Sequence, residues 1–252
     1  LCRDHGIGLV VPTIDTELLV LARNREAFAS KGIHLIISDE SLVRACRDKR
    51  ETARIFSELR IDTPEIYARD AIRYPCFAKP YDGSSSIGAM KIQSEEDLSS
   101  SLLADEKMMF MEFIGSEYSE YTVDAYFDRR GNLRCLVPRQ RIEVRAGEVA
   151  KGVTRRNFVY DYLLRRIGHL KGARGCVTLQ LFARQHPDTY AALEINPRFG
   201  GGFPLSYSAG ANYPGWLLDE YLLDRGVTFF NGWESDLLML RYDAKVLVHG
   251  AT

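Results

Sequence analysis

The chain has 252 residues, 46% of them hydrophobic and 27% charged, with 33 Lys and Arg set against 34 Asp and Glu. That composition excludes an intrinsically disordered chain, and the length supplies one large or two ordinary domains whose core needs no disulfide. A net charge of −1 and an isoelectric point near 6.6 exclude a general nucleic-acid or membrane-surface binder, while leaving room for a local basic pocket.

No apolar stretch approaches the roughly 20 residues that a membrane span requires. Leu1-Cys2-Arg3-Asp4-His5 has neither the basic start nor the apolar run of a signal peptide. With no initiator Met, the chain is expected to begin inside a longer protein. Cys2, Cys46, Cys76, Cys135 and Cys176 form no C-x-x-C pair, as suits reduced thiols in a cytoplasmic protein. His5, His34, His169, His186 and His249 are scattered, so no zinc or haem site is expected.

Gly8 to Pro12 reads as a short apolar strand. Asp15 is placed to cap a helix in which Leu18, Leu21, Ala22 and Phe28 share a face and Gly32 supplies the stop. His34 to Ser38 is a second buried strand, so residues 1–45 form a partial β-α-β, Rossmann-like fragment of a parallel sheet. Two strands cover little of a sheet, and earlier strands are expected outside this sequence. Ser41 to Arg60 is helical and charge-rich, with Asp48 and Glu51 spaced as a capping box, and a helical linker covers 46–72. Tyr74 to Pro80 is a strand entering the Gly/Ser-rich loop Tyr81 to Gly88. Ala89 to Ile92 returns from that loop ahead of an acidic helix starting near Ser94. Residues 73–111 thus form a small α+β unit.

Residues 112–252 carry antiparallel signals. Glu120 to Phe127 alternates, with Tyr121, Val123, Ala125 and Phe127 on one face and Glu120, Thr122, Asp124 and Tyr126 on the other. Asp128 to Asn132 turns and Leu133 to Val137 returns. Phe158 to Ile167 is a helix, Cys176 to Phe182 and Tyr190 to Ile195 make a second hairpin, and Trp216 to Leu223 is the last strong helix. The fold class is α/β (α+β).

The second hairpin carries the most chemistry. A turn centred near Pro187 pairs residues whose numbers sum to about 374, which sets Gln180 opposite Glu194, and Asn196 shares the face of Glu194. Three hard oxygen donors with one carboxylate suit Mg²⁺, which takes part of its shell from phosphate oxygens. Arg198 stands within reach of a phosphoryl group. The alternative for these residues is the solvated face of an amphipathic hairpin. Lys79 followed by Gly83, Ser84, Ser85 and Gly88 offers a cation and close backbone N–H groups for phosphate, although neither G-x-x-x-x-G-K-[ST] nor G-x-G-x-x-G is present. Arg139, Arg141, Arg145, Lys151, Arg155 and Arg156 concentrate positive charge between the hairpins; they suit an anionic substrate or a salt-bridged surface loop.

Five ordered elements resemble the ATP-grasp superfamily, in particular the ATP-binding halves of carbamoyl-phosphate synthase large subunits. They are Asp48-Lys49, Pro75 to Pro80, Met111 to Gly115, Glu120 to Asp124, and Glu194-Ile195-Asn196-Pro197-Arg198 preceded by Gln180. The resemblance implies two α+β subdomains gripping ATP, a smaller lid over 73–111 and a larger one over 112–252, after a pre-ATP-grasp fragment. It implies that Lys49 and Lys79 contact the phosphates and that the backbone of Glu112 and Ile114 meets the adenine edge, with Phe113 walling the slot. It further implies that Glu120 binds ribose, that Gln180, Glu194 and Asn196 hold Mg²⁺ (or Mn²⁺), and that Arg198 steadies the transferred phosphoryl group. Arg145 is assigned a catalytic role from its charge rather than from a motif. Unlike carbamoyl-phosphate synthase, the chain has one such unit.

The reaction class expected is phosphorylation of a carboxylate to an acyl phosphate from which an amine or similar nucleophile, such as a thiol, then displaces phosphate, which needs positioning and charge neutralisation but no nucleophilic side chain. The alternatives are phosphorylation of bicarbonate or carbamate with a partner protein, and a non-catalytic ATP-binding module. Expected partners are small carboxylates and amines, with no nucleic acid and no membrane, and a homodimer is left open.

Overall fold

The computed structural model describes residues 1–83, 87–145, 147–242, 244 and 247–248. Its first segment is a β-α-β unit in which β1 (Leu9–Val10) pairs in parallel with β2 (His34–Leu35), with α1 (Asp15–Arg23) and α2 (Arg25–Ala29) between them. The single helix expected here is split at Asn24, whose side-chain amide donates to the Val20 carbonyl at 2.8 Å while its backbone leaves helical geometry. Gly32 ends the pair at φ +71°, a conformation open to glycine at no steric cost. Asp15 is the first helical residue and caps nothing, since its carboxylate is used elsewhere. Leu18, Leu35, Ile37 and Val43 form the small core of this unit.

The helical stretch that follows is also two helices, α3 (Glu40–Cys46) and α4 (Lys49–Glu58). The Asp48 carboxylate accepts from the Arg50 N–H at 2.9 Å and caps α4, but Glu51 turns to Arg54 (2.7 Å) instead of closing a capping box. β3 (Ile66–Tyr67), β4 (Cys76–Pro80) and β5 (Met90–Ile92) come next. A short 3-10 turn at Glu95–Asp97 precedes α5 (Ser100–Ala104), and β6 (Met108–Glu112) completes an antiparallel sheet of order β3-β6-β4-β5. Cys76, Ala78, Ile92, Met108 and Phe110 bury one face of it. Because side chains alternate along a strand, Phe77 and Lys79 turn to the other face.

The second sheet is built from β7 (Ser119–Phe127), β8 (Leu133–Arg145) and β9 (Glu148–Thr154). After α6 (Phe158–Leu164) it continues with β10 (Gly175–Arg184) and β11 (Thr189–Asn196). Following α7 (Phe203–Ser208) and α8 (Tyr213–Leu222), β12 (Leu238–Leu240) closes the order β11-β10-β7-β8-β9-β12, with every neighbouring pair antiparallel. The main core packs here, with Phe56, Val123, Phe127, Leu136, Val137, Leu163 and Leu179 buried. Each such side chain contributes about 1.5–3 kcal/mol relative to exposure. Both faces of β7 are covered at its centre, for Thr122, Asp124 and Tyr126 are buried as well as Tyr121, Val123 and Ala125. One expectation changes. β8 runs eight residues past the expected end at Val137, so Arg139, Arg141 and Arg145 lie on a strand. No helix of the described residues is long and apolar enough to cross a membrane.

Candidate functional site

A cleft of about 510 Å³ opens between the two sheets. Its small-sheet wall carries Phe77 and Lys79 on β4, with Lys49 and Gly83 beside them. Lys49, the first residue of α4, donates its Nζ to the Gly83 carbonyl, and its N–H donates to the Tyr81 carbonyl at 3.0 Å. This ties α4 to the root of the Gly/Ser loop. Lys79 is pushed down to a pKa of about 8, first by burial and then by the neighbouring Lys49 charge, with Glu194 pulling the other way. Two ammonium groups thus converge on one space, which favours an anion between them. Ser84 and Ser85, read as phosphate contacts, lie outside the described residues.

The opposite wall is the large sheet. The hairpin of β10 and β11 has the expected register, with Gln180 opposite Glu194 and Thr178 opposite Asn196; a bulge follows between Gln180 and Leu181. Asn196 donates its amide to Glu194 Oε1 at 2.7 Å. Gln180 satisfies both ends of its amide when its nitrogen donates to the same oxygen at 2.9 Å and its own oxygen accepts from Arg141. Two amides and a carboxylate therefore converge on one point. The described residues hold no cluster of three or more His, Cys, Asp or Glu fit for a metal, so ligation here has to draw on amide oxygens. The set fits Mg²⁺ on that footing. Turning the Gln180 amide over sets two oxygens 2.9 Å apart, close to the roughly 3 Å edge of an octahedron with ~2.1 Å metal–oxygen bonds.

Glu120 lines the cleft and pairs with Arg141 at 2.8 Å. Burial pushes its carboxyl up, Arg141 draws it back down, and Glu194 adds to the rise. Arg141 also donates to the Gly147 carbonyl at 3.2 Å, while its buried Nε has no protein partner. Arg198 is held by Asp15, Nε on Oδ1 at 2.9 Å and Nη2 on Oδ2 at 2.5 Å, with Nη1 on the Phe199 carbonyl. Beneath the floor, Arg139 is fully buried against Asp124 (2.7 and 3.1 Å). Asp124 also accepts from Ser206 at 2.6 Å and Thr178 at 3.3 Å. Gly202 covers that guanidinium: a Cβ there would stand 2.2 Å from Arg139 Nη1 and 2.8 Å from Val149.

The cleft does not gather every residue singled out in the sequence. Arg145 is 61% exposed, pairs with Glu143 at 2.7 Å, and leaves Val144 to line the wall. Register shifts at Arg141/Glu143 and Glu143/Val144 break the alternation that would have turned it inward. Lys151 shares Glu143, Arg155 pairs with Asp236, and Arg156 lies over Trp233 at 4.2 Å, so the basic cluster divides, with only Arg139 and Arg141 at the cleft. Glu112, Phe113, Ile114 and Gly88 are not among the lining residues. The Glu112 N–H is spent on the Glu65 carbonyl at 2.8 Å, and Lys91 sits over the Phe113 ring at 4.2 Å. Phe77, Phe182 and Leu193 instead supply apolar surface in the cleft, and the partner role of Asp15 was hidden behind its fitness as a helix cap.

Chemically, the cleft offers cations on one wall and an oxygen-donor set on the other, a constellation that holds a polyanion together with a divalent metal. Among solved structures, the fold is similar to the biotin carboxylase domain of the 2-oxoglutarate carboxylase of Hydrogenobacter thermophilus, solved with MgADP and bicarbonate. The TM-score is 0.73 at 14% identity, covering 94% of this chain and 58% of that one. It is similar also to an L-amino acid ligase from Bacillus licheniformis (TM-score 0.65, 16% identity, 88% and 57% covered). Two D-alanine--D-alanine ligases from Thermoanaerobacter are 38% identical over 72 aligned positions, which cover 23% of this chain. The alignment spans only 20% of the length of those ligases. A family model described as "ATP-grasp in the biosynthetic pathway with Ter operon" matches residues 104–238, more than half of the chain, and the chain belongs to this ATP-grasp family.

Proposed function

We propose that the chain is an ATP-dependent carboxylate–amine ligase that uses Mg²⁺. The observation that carries this reading is the facing of Lys49 and Lys79 on one wall and Gln180, Glu194 and Asn196 on the other across a single cleft. In it, the four-stranded sheet acts as the lid and the six-stranded sheet as the larger half. The lysines hold the phosphate charges, Gln180, Glu194 and Asn196 hold Mg²⁺, and the pairing of Glu120 with Arg141 fixes a carboxylate where nucleotide hydroxyls can donate to it. When bound, Mg²⁺ supplies neutralisation of phosphate charge. Arg198, aimed by Asp15, keeps unspent N–H groups for the anion being transferred.

A carboxylate oxygen of the acceptor forms a bond to the γ-phosphorus as the bridging P–O bond breaks, and ADP leaves with that electron pair. The amine then adds to the acyl carbon, the C–O bond to phosphate breaks, and the amine releases a proton. Lowering the barrier is a matter of alignment and charge, which the cleft residues provide. The enzyme is read as cytoplasmic on its five free cysteines. ADP release measured on the whole chain tests the reading: it is expected to require a carboxylate and an amine together. Release driven by bicarbonate without an amine would replace it with the carbamoyl-phosphate-synthase type of reaction.

Lys79 gives a pH test. Its pKa of about 8 means the free protein loses this cation as the pH rises through that value, whereas bound phosphate holds the proton on. Affinity for the Mg-nucleotide should therefore be full well below that value, about half of full at it, and about tenfold below full one pH unit above it. Lys79→Arg should flatten that fall, and Lys79→Ala should weaken binding at every pH. A flat wild-type profile by calorimetry would take Lys79 off the phosphates.

A further inference from the structure

Beside the nucleotide cleft lies a second cavity of about 740 Å³ with a different character. Leu9, Val11, Ile14, Phe203, Leu217 and Leu218 line it, drawn from the end of β1, the approach to α1, α7 and α8. Ile14 is 59% exposed and Leu218 48% exposed, so apolar side chains stand at its mouth with nothing of the described chain over them. The two cavities share one partition, made of Glu148, Arg198, Gly200 and Gly201. Glycine keeps it thin: a Cβ on Gly201 would meet the Glu148 carboxylate at 2.4 Å, and one on Gly200 would come within 3.2 Å of Thr178.

The partition is charged in a defined sense. Arg198 spends three N–H donors on Asp15 and the Phe199 carbonyl, leaving two of its five for an anion at the junction. Glu148 is an exposed carboxylate whose ion partner, Arg241, sits 3.1 Å away and is not among the residues that line either cavity. An occupant that satisfies all of this has an apolar body, a carboxylate beside the nucleotide cleft and a cationic group next to it. Bicarbonate and carbamate have no body to fill such a cavity.

Resting on the ligase reading above, we propose that this cavity binds the acceptor and that the acceptor is an α-amino acid with an aliphatic or aromatic side chain. The side chain lies among Leu9, Val11, Ile14, Phe203, Leu217 and Leu218. Its carboxylate faces Arg198 at the partition, and its ammonium faces Glu148.

Calorimetry on the whole chain, first with MgADP and then with amino acids added to the saturated protein, tests this. Leucine and phenylalanine should bind at least about tenfold more tightly than asparagine, the discrimination an apolar pocket delivers for side chains of that size. 4-Methylpentanoate, which lacks the ammonium group, should bind at least about tenfold more weakly than leucine. Leu218→Asp and Ile14→Asp, both at exposed positions that the fold does not depend on, should each weaken leucine about tenfold and leave MgADP affinity unchanged. Asparagine binding as tightly as leucine, 4-methylpentanoate matching leucine, or leucine affinity untouched by both substitutions would overturn the proposal. So would a protein that binds MgADP and no amino acid, and this last result would leave the ligase reading standing. Failure to bind MgADP would overturn that reading and the proposal with it.

Discussion

Glu194→Ala is expected to lower Mg-dependent ADP release by about 10³-fold or more while leaving the fold intact. Glu194 is the one carboxylate at the point where Asn196 (2.7 Å) and Gln180 (2.9 Å) converge, so its removal leaves two neutral amides, a poor set for a doubly charged cation. The side chain is half-buried on an outer strand of the sheet, and the amides it releases face an open cleft where water can serve them. The thermal midpoint should consequently move little. A Mg²⁺ titration of nucleotide binding separates this from general damage, since the substitution should abolish the metal dependence while nucleotide alone still binds through the lysines. Turnover at the original level would remove Glu194 from the metal site.

Asp124→Ala should unfold the protein at markedly lower urea, with a loss of about 3–5 kcal/mol. Asp124 and Arg139 are 0% and 2% exposed, and the aspartate carries the two arginine bonds together with those from Ser206 and Thr178. Its truncation strands a guanidinium that is only 2% exposed, and the cost of an unpaired buried charge far exceeds the net worth of the pair. The double substitution Asp124→Leu with Arg139→Met removes both charges and should recover most of the stability, because burying two apolar side chains of similar volume offsets the lost pair. Should the double variant be no more stable than the single one, the loss in Asp124→Ala would be one of packing.

What the sequence made visible, and what it hid, divides by the range of the interactions. The pairing of Gln180 with Glu194 could be read because a tight hairpin leaves one register free to choose, and a period of two then places every side chain. Lys79 was visible because its strand is short and apolar and ends in a Gly/Ser loop. The basic stretch from Arg139 onward gave no such sign. A run of arginines looks like a solvated loop unless the buried acceptor of one of them is known, and Asp124 sits on a different strand. Arg145 could not be placed because bulges, which depend on the partner strand, decide its side. The helix break at Asn24 rests on a single hydrogen bond too weak to stand out against a good apolar stripe, whereas Asp48 showed its capping fitness in the sequence.

The bond between Asp15 and Arg198 joins positions 183 apart in the chain. A guanidinium on a flexible stem otherwise samples many rotamers, and two fixed oxygens reduce these to one. The leading β-α-β unit thereby acts as a jig for a side chain it is nowhere near in sequence. Any cut that severed this unit from the rest would leave both sheets whole and a loose guanidinium at the rim of the cleft. Recombining the two pieces from different parents would inherit the aim of Arg198 from whichever parent donated the first forty residues.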